Sequence, residues 1–253
     1  MGQNVKISNQ PHQRTSFESI ARARFYHFTK QHKNPLINFF YNERLRRILS
    51  MINFEAKKNP SARIVFDLGC GKGYFSRVLS LRFTTVGLDI ARGARKGFKV
   101  RVQERLEKLD FILADISFLP FRRHSADIVV CASVLEHFQN LDSLIKKIKD
   151  VLKRGGIFIA GYPVETRFFK SIWSLVSPQC FRFIDQRQTY WRNPFTDEKE
   201  CYWENPHTHK QNYQTIRNVL RRHFKILQKE KLPFNFFPDS ITYYECTKMR
   251  NEP

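Results

Sequence analysis

The stretch Asp67-Leu68-Gly69-Cys70-Gly71-Lys72-Gly73 places three glycines at alternate positions, beginning two residues after a carboxylate. That spacing lets a chain turn tightly and bring backbone N–H and C=O groups against a ligand with no Cβ in the way. It departs from the dinucleotide pattern G-x-G-x-x-G, because the third glycine comes one position early and Tyr74 stands where that pattern has Gly. A P-loop is excluded, since Lys72 is followed by Gly73 where Ser or Thr is required. A carboxylate at Asp67 would repel a pyrophosphate and welcome an ammonium group. Asp89, 22 positions further on, suits the two hydroxyls of a ribose. Asp115, followed by the apolar Ile116, suits an exocyclic amine on a ring lying over the side chain. These contacts describe a ligand with an amino acid end, a ribose and an adenine, but no phosphate. His137, beside Glu136, is the candidate for taking a proton, because imidazole titrates near neutrality.

The elements that must position these residues follow from the periodicity. Arg63 to Leu68, Thr84 to Asp89, Phe111 to Asp115, Ala126 to Cys131 and Ile157 to Tyr162 are short apolar runs bounded by turn residues, as buried parallel strands are. Helical spacing follows Gly73, covers Arg92 to Lys108, and runs from Leu141 to Leu152, where Gly155-Gly156 predicts a stop. A last helix is predicted from Tyr213 to His223, then strands from Phe224 to Leu232 and from Ile241 to Cys246. The alternation predicts an α/β fold: a three-layer, Rossmann-like, seven-stranded, mostly parallel sheet whose last strand is antiparallel. In such sheets ligands bind outside the carboxyl ends of the strands, where Asp67, Asp89, Asp115 and Ser133 fall. Residues 1–60 read as a helical N-terminal arm, with helical spacing from Pro35 that ends at Asn59-Pro60. Residues 61–253 read as the main domain, and 163–210, with all three Trp, as a substrate-side insertion after strand 5.

The ligand that fits this description is S-adenosylmethionine, and the motifs that frame it resemble those of the class I, Rossmann-like S-adenosylmethionine-dependent methyltransferases. The matching pieces are Val65 to Gly73, Gly87-Leu88-Asp89-Ile90, Ala114-Asp115 with Leu119-Pro120-Phe121, Ala126 to Val130, Val134-Leu135-Glu136-His137, and Leu152 to Gly156. They stand in family order and cover about residues 60–162, and His207 to Leu227 is similar to the family's closing helix and strand. The resemblance implies that Gly69, Cys70, Gly71 and Gly73 lie against the methionine portion, with Asp67 organising its amino group. It implies Asp89 at the ribose, Asp115 and Ile116 at the adenine and Ser133 near the sulfonium, with Ile90 also in the cofactor pocket. It implies methyl transfer by in-line displacement, with positioning and desolvation supplying much of the catalysis.

Composition bounds the acceptor. Of 253 residues, 44 are Lys or Arg and 23 Asp or Glu, a formal charge of +21 spread along the whole chain. Such a field attracts phosphates. Aromatic residues stand among basic ones in the arm (Tyr41 with Arg44) and in the insertion (Trp173 with Lys170, Trp191 with Arg192). That mixture fits a lipid-like acceptor taken from an anionic membrane surface, and the resemblance, to a group that mostly modifies small molecules, implies a small-molecule or lipid-like acceptor. The mixture also fits an RNA acceptor. The remaining reading is a non-catalytic scaffold that binds cofactor for stability. After the fourth strand, Cys131-Ala132-Ser133-Val134 lacks the Asn/Asp-Pro-Pro-Tyr/Phe of amino-group methylation on adenine or glutamine. Five scattered cysteines predict a reducing, cytoplasmic setting, peripheral to a membrane if the acceptor is a lipid. No metal site is expected, because His207, His209 and Cys201 match no zinc spacing. No apolar run is long enough to span a bilayer.

Overall fold

The structure is a computed structural model that describes residues 35–58, 61–90, 99, 101–102, 105–163, 190–192, 199–201, 210–232 and 241–248. The leader, most of the helix expected at 92–108, and most of the insertion, including Trp173, His207 and His209, lie outside the described residues. The elements are α1 (Pro35–Lys58), β1 (Ile64–Leu68), α2 (Tyr74–Leu79), β2 (Thr84–Asp89), β3 (Leu109–Leu113), β4 (Ala126–Ala132), α3 (Leu141–Val151), β5 (Leu152–Pro163), β6 (Tyr190–Arg192), β7 (Lys199–Cys201), α4 (Tyr213–His223), β8 (Phe224–Leu232) and β9 (Ile241–Lys248).

One sheet runs in the order β3-β2-β1-β4-β5-β9-β8. Its first five strands are parallel neighbours, while β9 is antiparallel to both β5 and β8. The reversal of strand order between β1 and β4 opens the crevice where α/β sheets bind ligands. Alternation along the central strands explains the three layers. Val65, Ile128, Val130, Ile157 and Ile159 face one side, packed against Leu45, Ile48, Leu49, Met51 and Ile52 of α1 and Val78 and Leu79 of α2. Phe66, Val129, Cys131, Phe158 and Ala160 face the other, under Leu144, Ile145 and Ile148 of α3 and Ile216, Val219 and Leu220 of α4. Each such aliphatic side chain stabilises the fold by about 1.5–3 kcal/mol on burial. Arg47 of α1 reaches across to Glu230 of β8 at 2.6 Å, so the first helix is tied to the far end of the sheet.

Three details differ from the sequence reading. Gly155-Gly156 does not stop a helix: α3 ends at Val151, and β5 begins at once at Leu152. Pairing moves from Ala126↔Leu152 to Ile128↔Ile157, which bulges out the intervening β5 residues. Gly155 takes φ +78° there, and a Cβ on Gly156 would stand 3.0 Å from the Asp127 carbonyl oxygen. β3 lies two residues earlier than expected, which leaves Asp115 beyond the strand as cap of the short 3-10 turn Ile116–Phe118. A separate antiparallel ribbon, β6 with β7, occupies part of the insertion.

Asp127 holds the edge at which the parallel strands begin. Its Oδ2 accepts the backbone N–H groups of Arg63 and Ile64, both at 2.9 Å, and Oδ1 accepts Lys153 Nζ at 2.9 Å. Burial alone would raise its carboxyl. The Arg63 N–H, the Lys153 ammonium and the Ile64 N–H outweigh burial and hold it below the ordinary value of 3.8. Asp127→Ala therefore lowers stability at pH 7 by ~2 kcal/mol, since two strand-leading N–H groups lose their acceptor. A depressed carboxyl stabilises the fold above its unfolded-state value and loses that contribution as pH falls through its folded-state value. Urea titrations at pH 7 and at pH 2 should show the deficit shrinking in acid; a deficit that grows in acid contradicts the assignment.

Candidate active site

The turn after β1 is built by its glycines. Gly69, Gly71 and Gly73 have φ of +73°, +54° and +73°, a conformation in which a side chain is strained. Gly69 N–H and Cys70 N–H both donate to the Leu88 carbonyl of β2, at 2.7 and 3.1 Å, which locks the turn onto the neighbouring strand. Gly73 N–H closes the loop on the Cys70 carbonyl at 2.9 Å. Space supplies a second constraint. A Cβ on Gly69 would come 2.2 Å from Val134 Cγ2, and one on Gly73 would come 2.3 Å from Phe111 Cζ. Around Gly71 nothing lies within 4 Å of such an atom, so the middle of the turn faces open space.

Carboxylates surround this turn. Asp89, at the end of β2, accepts Gly71 N–H on Oδ2 at 2.7 Å. Asp67 is buried within β1 and accepts Ser76 Oγ of α2 at 2.5 Å. Asp67 is thus a fixed charge behind the turn, where the sequence had suggested a ligand-facing group. The Cys70 thiol registers both carboxylates: burial first, then Asp67 and Asp89, push its pKa well above the usual thiol range. Burial and two neighbouring carboxylates therefore favour the protonated thiol at the turn. Asp115 accepts Ser117 N–H on Oδ1 at 2.7 Å, and Ala114 N–H donates to the Asp89 carbonyl at 3.1 Å, which links the β2 and β3 ends. Ile116 is buried in the core, while Ile90, Leu113 and Phe118 are exposed by 70, 58 and 76%, an apolar rim at the same edge.

Beyond β4, Ser133 has φ +58°, unusual for a residue with a side chain, and is held by its N–H on the Gly161 carbonyl at 2.7 Å. Glu136 is buried and its Oε1 lies 4.0 Å from His137 Nε2, whose side chain is one quarter exposed. The Glu136 carbonyl accepts the N–H groups of Lys210 and Gln211, and Gln211 Nε2 reaches the carbonyls of Phe138 and Gln139. The far end of the insertion is thereby anchored on the Glu136-His137 turn. The structure brings Asp67, Gly69, Cys70, Gly71, Gly73, Asp89, Ile90 and Asp115 to the carboxyl ends of β1, β2 and β3. It brings Ser133 and His137 to that of β4. Sequence reasoning assigned no role to Ser76, Val134 or Phe111, which hold the turn. Gly87, a glycine inside a strand, was the available signal of close approach: a Cβ there would meet Phe111 at 2.8 Å and Cys70 Sγ at 3.0 Å.

Gly69→Ala should cost roughly 2–4 kcal/mol, from strain plus overlap with Val134, and Gly71→Ala only about 1 kcal/mol, from strain alone. Urea denaturation of the two variants checks the order, and the reverse order contradicts the geometry.

The negative turn rejects a pyrophosphate and suits a ligand that carries an ammonium and a sulfonium, so the residues present fit S-adenosylmethionine. Comparison with known proteins agrees. Residues 66–160 match the family model described as a methyltransferase domain. Ribosomal RNA-processing protein 8 of Caenorhabditis briggsae is 31% identical over 150 residues, 58% of this chain and 39% of that protein. The ubiquinone biosynthesis O-methyltransferase of Nitrosomonas europaea is 31% identical over 98 residues, 38% of this chain and 42% of that protein. The chain spans about half or less of the length of the curated relatives it matches. Magnesium protoporphyrin IX methyltransferase from Synechocystis, solved with bound S-adenosylhomocysteine, shares the fold with a TM-score of 0.58 and 17% identity. The likeness covers 92% of this chain and 100% of that one. Over residues 66–160 the chain matches a methyltransferase domain, and its glycine turn with the surrounding carboxylates resembles the cofactor site of the class I, Rossmann-like S-adenosylmethionine-dependent methyltransferases.

Proposed function

We propose that the protein transfers a methyl group by in-line displacement to a small-molecule or lipid-like acceptor in the cytoplasm, at a membrane surface where the acceptor is a lipid. S-adenosylmethionine, when bound, supplies an electrophilic methyl group on a cationic sulfur. The observation that carries the reading is the open, negatively charged glycine turn, where Gly71 leaves room and Asp67 and Asp89 set the field. Gly69, Cys70, Gly71 and Gly73 would line the amino acid portion, Asp89 and Ile90 the ribose side, and Asp115 the adenine, with the Ile116 side chain in the core beside it. Ser133, held in its strained conformation, would border the reacting centre. Asp67 favours the cation through its charge, from behind the turn.

The acceptor class is supported by the apolar rim of Leu113 and Phe118 at the same edge and by the relative named for ubiquinone biosynthesis. His137 would take the proton of a hydroxyl acceptor. A second reading, methylation of RNA, is favoured by the relative named for ribosomal RNA processing and by the charge of +21. Incubation of a whole-cell extract with cofactor tritiated on the methyl group separates the readings. Label in the lipid or small-molecule fraction supports the proposal, and label in RNA replaces it with the second reading. Cofactor binding with no labelled product leaves a scaffold.

Two variants test the named roles. Asp89→Ala should weaken cofactor binding at least tenfold by calorimetry, the effect of losing one charged hydrogen-bond acceptor; unchanged binding removes the ribose assignment. His137→Ala should lower kcat by about 100-fold or more with cofactor affinity unchanged, the usual weight of a general base. An unaltered kcat removes that role.

A further inference from the structure

The five parallel strands all begin at one edge of the sheet, opposite the glycine turn. The segments that lead into them carry exposed cations: Arg63 before β1, Arg82 before β2, Lys108 before β3, Arg122 and Arg123 before β4, and Arg154 in the first residues of β5. Hydrogen bonds place these segments side by side. Thr85 N–H donates to the Lys108 carbonyl at 2.8 Å, and Thr84 N–H to the Arg63 carbonyl at 2.8 Å. Asp127 joins Arg63 to Lys153, and His124 and Ser125 donate their N–H groups to the carbonyls of Asp150 and Val151. The strand-leading backbones therefore run side by side with the cations spaced along them, Arg82 also donating to Asn53 Oδ1 at 3.0 Å and lying over the Phe83 ring. At strand spacing of ~4.8 Å, five strands make a row about 20 Å long.

The exposed carboxylates along this edge are few. Among the described residues, Asp110 is taken up by Arg101 at 2.8 Å and Asp150 lies 3.7 Å from Arg123, which leaves Glu107. Among the described residues, the exposed large apolar side chains are Phe54, Ile90, Val102, Leu113, Phe118 and Leu227, and of these only the aliphatic Val102 lies in the chain ahead of a strand of this edge, before β3. A membrane-docking face combines cations with apolar or aromatic anchors that enter the interface. Among the described residues this row has no exposed aromatic anchor, and five of the six named cations are Arg, whose planar fork matches phosphate oxygens. We propose that this edge is a docking surface for the phosphate backbone of a nucleic acid, sequence-independent and separate from the methyl-transfer edge. Contacts of this kind position a protein on a polyanion without reading bases. The inference does not depend on which acceptor receives the methyl group.

The test uses the full chain and a fluorescein-labelled RNA duplex of about 24 base pairs, followed by anisotropy from low to moderate salt. The triple variant Arg63→Gln/Arg122→Gln/Arg154→Gln removes three cations from three strand-leading segments. It should weaken RNA binding tenfold or more at fixed salt and lower the slope of log affinity against log salt by about 2–3, near one counterion per lost contact. A control triple of equal charge loss elsewhere, Lys146→Gln/Lys225→Gln/Lys229→Gln, should keep most of the wild-type affinity and slope. Calorimetric binding of S-adenosylmethionine should be the same in both variants, which shows that each is folded. Equal loss in the two triples assigns binding to net charge and overturns the proposal. So does an absence of RNA binding by the wild type, or vesicles containing phosphatidylglycerol being the only probe whose binding the first triple abolishes. The cofactor site could stand in each of those cases, and if the wild type binds no cofactor, equal cooperative thermal unfolding of the three proteins supplies the fold control and leaves the RNA result readable.

Discussion

Two backbone N–H groups, those of Gly69 and Cys70, converge on a single carbonyl, that of Leu88. This shared bond presses the first loop of the sheet onto the second strand. The loop can lie that close only because its glycines adopt left-handed dihedrals and carry no Cβ to strike Val134 or Phe111. Gly71 N–H is thereby delivered to the Asp89 carboxylate, and Cys70 is pinned between Asp67 and Asp89. The charge character of the pocket thus follows from a packing constraint. A bulkier loop would stand off from β2, and its carboxylates would no longer act at one place.

Each carboxylate of this pocket has a local hydrogen-bond donor. Asp67 is satisfied by Ser76, Asp89 by Gly71 and Asp115 by Ser117, each through a donor supplied by the local turn or the following helix. Such donors fix the position of each carboxylate. The opposite edge uses the same device in Asp127, which gathers two strand-leading N–H groups and a lysine. The sheet is therefore acidic and inward-looking at one end and cationic at the other.

Much of this was legible in the residues. The strands β1, β2 and β4 are apolar runs with few alternatives, and α4 and β8 meet at His223-Phe224 as the change of period predicts. The glycine turn and its carboxylates could be placed because α/β sheets put ligands at strand ends. What escaped depended on three-dimensional context. Gly155-Gly156 looks like a helix stop by local preference, yet strand pairing with β4 claims it for a bulge. Asp67 reads as a ligand by position, but only the fold shows Ser76 above it and its side chain out of solvent. Phe111, an ordinary strand residue in the sequence, becomes a wedge because two glycines on other elements leave it room.

The bond between Arg47 and Glu230 spans 183 residues of chain. The first described helix also packs its apolar stripe on Ile157 and Ile159 of β5. During synthesis, that stripe emerges from the ribosome long before the strands that will cover it. At typical elongation rates of 5–20 residues per second, roughly ten seconds or more separate Ile52 from Glu230. The β5 residues that cover the stripe, Ile157 and Ile159, follow Ile52 by more than a hundred residues, so the helix gains its full cover only once the five parallel strands have been made.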